Sequence, residues 1–329
     1  MNKRGVIGAI AGLATMTSVQ AVSAQELTVA YFLEWPMPFQ FAKAKGIYEE
    51  ELGVTINWRS FDTGTAMSAA MASGDVHISV SQGVPPFVVA TSAGQDLQMV
   101  DVAVSYVEND NCVVRSELEV DKTNVADLEG GKVGVPIGTA AHYGFLKQMD
   151  HFGVDIASMD VVDMAPPDGA AAFAQGNLDM VCGWGGALRR MLEHGNVLLT
   201  GAEKEELGIK VFDVTSVPAS FAAENPDLLA DFLRVTAEMN EKWETDKDEM
   251  LPVIAQDAGM DEQATADTMA TFVFPSVEEQ LSQEWLGGDA QAFLKEVADF
   301  FVEQGSMPQA RETYEGAVDA GHLKAVGGV

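Results

Sequence analysis

The chain has 329 residues, with 50 acidic and 19 basic side chains and a formal net charge of −31 at pH 7. This length exceeds what one hydrophobic core usually supports, so we expect two lobes of ordinary domain size. Nucleic-acid binding requires clustered lysine and arginine, so the charge excludes DNA and RNA as expected partners. The same charge disfavours adsorption to anionic lipid and favours a soluble monomer.

The N-terminal segment has the composition of a secretory signal peptide. Lys3 and Arg4 precede an apolar run over residues 6–16, which is too short for a membrane anchor of about 20 residues. Small residues precede the expected cleavage after Ala24. We therefore expect residues 1–24 to be removed and the mature protein to lie free in an oxidising compartment. An uncleaved anchor is the alternative.

Beyond residue 24 the sequence alternates between strand-like and helix-like segments. Such alternation predicts an α/β fold with mostly parallel sheets flanked by helices. Everything after residue 225 is helical by pattern. The predicted strands cover residues 26–32, 55–60, 76–80, 99–107, 111–115, 132–136, 159–164, 180–182 and 212–217. The predicted helices between them cover residues 38–52, 65–73, 139–152 and 168–175.

The strand–helix rhythm starts again near residue 116 and ends at residue 213. This predicts that lobe two spans residues 116–212, while residues 25–115 join residues 213–329 in lobe one together with the C-terminal helices. The chain would then cross twice between the lobes. No later run of about 20 apolar residues and no short repeat is present, so membrane spans and solenoids are not expected.

Sequence motifs for common enzyme chemistry are absent. We find no G-x-S-x-G, no H-E-x-x-H, no phosphate-binding G-x-x-x-x-G-K-[ST], and no G-x-G-x-x-G after a strand. Four of the five histidines stand apart from other potential ligands, so neither a metal site nor a cofactor is expected. The pattern therefore favours a hinged binding protein over an enzyme.

Unusual residues cluster in the turns that follow the predicted strands. Open α/β sheets bind ligands beyond the carboxyl ends of their strands. These turns together predict a cleft with aromatic walls, carboxylates and a helix N-terminus, although each residue also has an ordinary structural role, such as the helix N-cap for Thr139. The candidate ligand-binding residues are Glu34, Trp35, Gln82, Gly83, Asp110, Thr139, His142, Tyr143, Trp184 and Asp213.

Several segments match a known family in their order and spacing along nearly the whole mature chain. In them the sequence resembles the periplasmic binding proteins of ABC importers for taurine and related sulfonates, within the nitrate/sulfonate-type group. The segments are 58–64 (WRSFDTG) with 70–76 (AMASGDV), 135–136 with 139 and 142–143, 166–167 with 176–179 and 184, and 212–214 with 225–226.

The resemblance implies a type II periplasmic binding protein, in which two lobes joined by a two-stranded hinge enclose a ligand and deliver it to the permease and ATPase subunits of the importer. It also implies a periplasmic location and no enzymatic activity. Two turns depart from the family pattern, 81–85 and 183–186. Cys112 and Cys182 depart from it as well. Because both lie at strand ends in an exported protein, we expect a disulfide, with two buried thiols as the alternative.

The cleft turns contain no lysine or arginine, so a dianionic phosphate or an α-amino acid held by arginine fits poorly. The Thr139 hydroxyl, the first N–H groups of its helix, and His142 or Tyr143 could hold the three oxygens of a sulfonate. Asp213, with Glu34 or Asp110, could balance a ligand cation. A short zwitterion, taurine above all, satisfies both halves.

Two other functions stay open at this level. The first is binding of a quaternary ammonium or another small cation in an aromatic cage of Trp35, Trp184 and Tyr143. The second is a periplasmic hydrolase that uses Asp213 and His142. Binding of taurine but not of glycine betaine would exclude the cage, and recovery of the ligand intact would exclude the hydrolase.

Overall fold

The computed structural model describes residues 26–328, in which strands and helices alternate as the sequence predicts. The expected signal peptide and its cleavage after Ala24 lie outside the described residues. The strands are β1 (Glu26–Phe32), β2 (Thr55–Phe61), β3 (Ile78–Gly83), β4 (Leu97–Ser105), β5 (Asp110–Arg115), β6 (Lys132–Val135), β7 (Asp160–Asp163), β8 (Met180–Trp184), β9 (Gly195–Val197) and β10 (Phe212–Pro218). The helices are α1 (Phe39–Lys45), α2 (Ile47–Leu52), α3 (Gly64–Ala72), α4 (Val84–Ser92), α5 (Ala140–Phe152), α6 (Pro166–Ala174), α7 (Gly185–Leu192), α8 (Gly201–Glu206), α9 (Ala219–Glu224), α10 (Pro226–Thr245), α11 (Lys247–Ala258), α12 (Glu262–Met269), α13 (Val277–Gln280), α14 (Asp289–Glu303) and α15 (Gly321–Gly327).

The strands form two five-stranded sheets, with the order β2-β1-β3-β10-β4 in the first and β7-β6-β8-β5-β9 in the second. In each sheet four strands share one direction and one strand runs against them, which confirms the expectation of mostly parallel sheets. Strand β10 runs antiparallel to β3 and β4, and β5 runs antiparallel to β8 and β9. These are the two strands by which the chain enters a lobe from the other lobe. Each begins at the edge of the sheet where its neighbours end, so it runs against them.

The pairing of β5 moves one expected lobe boundary. The sequence placed residues 111–115 in lobe one, but β5 belongs to the second sheet. The apolar pattern of β5 would suit either sheet. The sequence alone therefore does not tell which sheet the strand joins. The first crossing therefore lies between Ser105 and Asp110, and the second between Val197 and Phe212. We propose lobe one as residues 26–105 with 212–328, and lobe two as residues 110–197.

The two crossings lie side by side and form the connection between the lobes. Phe212 is paired with Ser105 across β10 and β4, and the Tyr106 N–H donates to the Val211 carbonyl at 3.2 Å. Two paired crossings restrict the lobes to rotation about one narrow region, which is the geometry of a hinge.

Two helical segments differ from the expectation. The predicted helix over 38–52 is divided at Gly46, whose φ of +72° ends α1 and begins α2. Helix α4 was not expected, because Val84-Pro85-Pro86 resembles a turn. The prolines stand in its first turn, where a missing N–H costs no intrahelical hydrogen bond.

The lobes also touch each other away from the hinge. Tyr143 on α5 of lobe two packs edge-on against Phe293, Phe300 and Phe301 of α14 in lobe one, with ring centroids 5.5–6.3 Å apart. This contact joins the apolar interiors of the two lobes in the present, closed arrangement.

Cys112 on β5 and Cys182 on β8 are directly paired in register, and the structure joins them in a disulfide. Both residues are buried. No helix within residues 26–328 is long and apolar enough to cross a membrane.

Candidate ligand-binding site

A small cavity with an empty volume of about 260 Å³ lies between the two lobes. Strands from both sheets end at it, and α3, α4 and α5 begin beside it. Lobe one contributes most of its wall, and lobe two and the hinge contribute the remainder. The lining residues are Phe32, Gly64, Gly83, Pro86 and Asp213 from lobe one, Tyr106 from the hinge crossing, and Thr139, Ala140 and Trp184 from lobe two.

Asp213 supplies the carboxylate of the cavity. It is 2% exposed and stands opposite Gly83 in the register of β10 and β3. The Ser81 hydroxyl donates to Asp213 Oδ2 at 2.7 Å, and the Tyr106 hydroxyl donates to Oδ1. Trp35 Nε1 donates to Ser81 Oγ at 2.8 Å. The carboxylate is therefore held in one orientation by a chain of hydrogen bonds.

Burial raises the pKa of Asp213 to about 8. The hydrogen bonds from Tyr106 and Ser81 act in the opposite direction, and the charge of Asp110 adds to the rise. A ligand ammonium beside this carboxyl would favour its ionised form. The site is thus suited to a cation that can replace the lost hydration of the carboxylate.

Helix N-termini supply the complementary half of the cavity. Gly64 begins α3 and Ala140 begins α5, and both residues line the cavity. The first N–H groups of a helix lack intrahelical acceptors and favour an anion. Thr139 caps α5, since its hydroxyl accepts from His142 N at 3.4 Å and donates to the Pro136 carbonyl at 2.6 Å. An anion here would meet backbone donors.

Gly64 and Gly83 leave the room for this arrangement. A Cβ atom on Gly64 would lie 2.6 Å from Pro86 Cγ. A Cβ atom on Gly83 would lie 3.4 Å from Asp213 Oδ1. A larger residue at position 64 would clash with Pro86, and one at position 83 would contact the carboxylate of Asp213.

Four of the sequence-predicted site residues line the cavity: Gly83, Thr139, Trp184 and Asp213. Trp35, which was also predicted, does not line the cavity but packs behind its wall. It is 2% exposed, and its ring meets the Tyr106 ring edge-on with centroids 4.6 Å apart. Its contribution is to position Ser81 and Tyr106.

Gln82 faces away from the cavity. Its Nε2 donates to the Gly64 carbonyl at 2.8 Å, and its Oε1 accepts from Ser216 Oγ at 2.6 Å. Through these two hydrogen bonds Gln82 links α3 to β10. The preceding residue, Ser81, has a φ of +62° and directs its hydroxyl to Asp213.

His142 and Tyr143 also lie outside the cavity lining. His142 Nδ1 accepts from Gly138 N at 3.2 Å, and its ring packs against Phe301. Burial lowers the pKa of His142 to about 4, so the imidazole is neutral near pH 7. Burial also raises the pKa of the Tyr143 hydroxyl. Both side chains contribute to the contact of α5 with α14.

Asp110 is buried next to the hinge and does not line the cavity. The Lys204 ammonium donates to the carbonyl oxygens of Val107, at 2.7 Å, and of Asp110. Burial raises the pKa of the Asp110 carboxyl to about 7, and the Lys204 charge acts in the opposite direction. Glu34 is placed at the outer mouth of the cleft, where Arg190 binds it.

The sequence analysis missed five of the lining residues. Phe32 is the last residue of β1, so the position of strand ends could have identified it. Tyr106 lies in the hinge crossing and was assigned to the interior of a strand. The others carry no polar side chain that would attract attention. The missed lining residues are Phe32, Gly64, Pro86, Tyr106 and Ala140.

Comparison with known proteins agrees with this architecture. The chain is 26% identical over 297 residues to the taurine-binding periplasmic protein of Escherichia coli (strain K12), which covers 88% of this chain and 90% of the relative. It is similar in structure to the alkanesulfonate-binding protein SsuA from Xanthomonas axonopodis pv. citri bound to MOPS, with 21% identity, a TM-score of 0.76 and coverage of 89% and 98%.

The periplasmic aliphatic sulphonate binding protein SsuA from Escherichia coli is a second structural neighbour, with 21% identity, a TM-score of 0.68 and coverage of 88% and 95%. Residues 36–241, more than half of the chain, match the family described as NMT1/THI5 like. The fold is therefore that of the two-lobed, type II periplasmic binding proteins, and the chain belongs to the NMT1/THI5-like family.

Proposed function

We propose that this protein is the extracytoplasmic substrate-binding protein of an ABC importer and that it captures taurine or a closely related small aminosulfonate between its lobes. The observation that carries the proposal is one cavity with a buried carboxylate from lobe one and a helix N-terminus from lobe two. A ligand with an ammonium and a sulfonate meets both groups at once. It would therefore join the two lobes.

The charge of the lining supports a monoanionic group on the ligand. None of the described lining residues is lysine or arginine. A dianion would be desolvated without a cationic partner, which is costly in a closed site. A sulfonate carries one charge, and backbone N–H groups at the start of α5 are suitable partners for its oxygens.

The size of the cavity supports a small ligand. Its empty volume is about 260 Å³, against about 780 Å³ for the neighbouring space at the mouth of the cleft. The relatives point in the same direction, since one is a taurine-binding periplasmic protein and the structural neighbours are sulfonate-binding proteins. We propose a periplasmic location, as for the taurine-binding relative, together with a monomeric state and delivery to a permease with ATPase subunits.

Two alternatives find less support. Of the three aromatic residues considered for a cation cage, only Trp184 lines the cavity, while Trp35 and Tyr143 pack elsewhere. For a hydrolase, Asp213 would need His142 in the same space, and His142 is not among the lining residues. We therefore propose a binding protein without catalytic activity.

A thermal-shift screen tests the proposed function. Ligand binding to the native state raises the melting temperature by mass action. We expect taurine to raise it strongly, ethanesulfonate weakly, and glycine betaine not at all. Recovery of intact taurine after prolonged incubation is the control against turnover. Stabilisation by glycine betaine without stabilisation by taurine would contradict the proposal and favour the cation cage.

A further inference from the structure

A second, larger space adjoins the ligand cavity. This outer chamber has an empty volume of about 780 Å³ and lies at the mouth of the cleft. It shares two lining side chains with the inner cavity, Phe32 and Trp184. These two rings therefore form part of the wall between the two spaces.

The two rings come from opposite lobes. Phe32 is the last residue of β1 in the first sheet, and Trp184 is the last residue of β8 in the second. Their centroids are 5.9 Å apart, with a tilt of 59° between the planes. Because each lobe contributes one ring, the contact depends on the closed arrangement of the lobes.

The backbone around the two rings is fixed on both sides. Trp184 is paired with Asp110 in β5, and Phe32 is paired with Phe61 in β2. Immediately after Trp184, Gly185 has a φ of +56°, and a Cβ atom there would lie 2.6 Å from the Glu34 carbonyl oxygen. The ring of Trp184 is therefore attached to a segment that has little freedom to move aside in the closed protein.

The chemistry of the outer chamber differs from that of the inner cavity. Much of its wall is apolar. Two carboxylates line it, those of Glu34, which Arg190 binds, and Asp62. An uncharged extension of a ligand would fit the apolar part of this space. Besides Phe32 and Trp184, the apolar lining comprises Leu33, Phe61, Pro166, Pro167, Ala187 and Ala258.

We propose that Phe32 and Trp184 form an aromatic gate that sets the upper size of the ligand and excludes N-alkylated aminosulfonates. This inference rests on the proposed function, because it assumes that the charged groups of the ligand occupy the inner cavity. An N-alkyl chain keeps the ammonium and the sulfonate but must pass the plane of the two rings. Removal of the Trp184 ring joins the two spaces and gives that chain a place in the outer chamber.

Calorimetric titration of taurine and N-butyltaurine tests the gate. In the wild type we expect taurine to bind at least about 100-fold more tightly, since misplaced methylenes in a closed pocket discriminate by such factors. In Trp184→Ala this ratio should fall by about tenfold or more. Trp184→Phe should keep most of the ratio, because a ring still faces Phe32. Trp58→Ala removes another half-buried tryptophan, which packs on Phe39 and lines neither space, and should keep the wild-type ratio.

Circular dichroism of each variant establishes that it is folded before titration. An unchanged ratio in folded Trp184→Ala, with tight taurine binding to the wild type, would overturn the gate and leave the proposed function intact. The same fall in Trp58→Ala would also overturn it. Absence of taurine binding to the wild type would instead overturn the proposed function, and the gate with it.

Discussion

Glu34 and Arg190 form an ion pair with two hydrogen bonds across the mouth of the cleft, with N–O distances of 2.6 and 3.0 Å. Glu34 follows β1 in lobe one, and Arg190 lies on α7 in lobe two. The same loop of lobe one also accepts a backbone hydrogen bond from Gly186 at 3.2 Å. These contacts need no ligand, so they stabilise the closed arrangement by themselves.

Breaking this ion pair should weaken ligand binding modestly. The side chains are 33% and 44% exposed, so solvent screening limits the pair to at most about 1 kcal/mol. We expect Arg190→Gln to raise the Kd for taurine by about two- to fivefold, because a smaller fraction of the free protein is closed. The matched control is Arg234→Gln, which breaks ion pairs within lobe one. Equal effects in both variants, measured by calorimetry, would contradict a role in closure.

Gly186 should be required for close approach of the lobes. A Cβ atom at this position would lie 2.8 Å from Glu34 Cβ and 2.9 Å from Glu34 Cδ. Overpacking of this kind costs about 1–3 kcal/mol. Because Gly186 and Glu34 belong to different lobes, we expect Gly186→Ala to weaken taurine binding by about five- to 100-fold and to leave the melting temperature of the free protein nearly unchanged.

Gly316→Ala is the control for that substitution, because a Cβ atom on Gly316 meets nothing within 4 Å. Small-angle X-ray scattering should show that taurine compacts the wild type and the control but compacts Gly186→Ala less. Full compaction of Gly186→Ala at saturating taurine, with wild-type affinity, would show that the glycine is not needed for closure.

The disulfide should contribute to stability in the exported protein. It closes a sequence separation of 70 residues, which corresponds to about 4 kcal/mol in the chain-entropy treatment. We expect thiol titration of the unfolded, unreduced protein to find no free thiol. We also expect reductant to lower the melting temperature. Two titratable thiols would show that the cysteines are unbonded in solution.

The alternation of strands and helices in lobe one follows from the sequence, but the directions of several side chains at the cleft do not. Asp213 was a candidate because it is the acidic residue of the last predicted strand. His142 and Tyr143 looked equally suitable, yet α14 draws them away from the cavity. That helix is about 150 residues further along the chain, and local sequence carries no information on such packing.

Long side chains limit the prediction in a second way. The sequence shows that the turns of the cleft contain no arginine. Arg190 nevertheless reaches Glu34 from within α7. A partner that approaches from the other lobe is set by the closed geometry of the hinge, which the sequence pattern does not describe. This is why Glu34 was grouped with Asp213 as a possible partner of the ligand.

The binding of the two sulfonates should depend on pH in opposite directions. Burial raises the pKa of Asp213 to about 8, so below that pH the free protein holds a proton on this carboxyl. Taurine favours the ionised form, so its binding should release this proton, and its affinity should rise with pH up to about 8 by at most tenfold per unit. Ethanesulfonate favours the protonated form, so its affinity should fall above about pH 8.

Proton release is measured by calorimetry in two buffers that differ in ionisation enthalpy. The nearby Asp110 also has a raised pKa, of about 7, so Asp110→Asn serves as the control and should keep both pH slopes in sign. The raised pKa of Asp213 also makes the stability of the free protein depend on pH. The stability from protonated Asp213 is fully present below the ordinary aspartate pKa and is lost as the pH rises through about 8. Parallel slopes for the two ligands would contradict the assignment.

The most direct test of the central claim is calorimetric titration of taurine and ethanesulfonate into Asp213→Ala. Truncating one partner of a buried charge pair should weaken taurine by roughly 2–5 kcal/mol. Ethanesulfonate has no ammonium to lose, so its weak binding should stay unchanged or improve. Asp101→Asn, a buried aspartate that accepts from Thr215 in the same sheet, controls for general destabilisation. A selective loss of taurine in Asp213→Ala is the predicted result, and equal losses of the two ligands would show that Asp213 does not bind the ammonium.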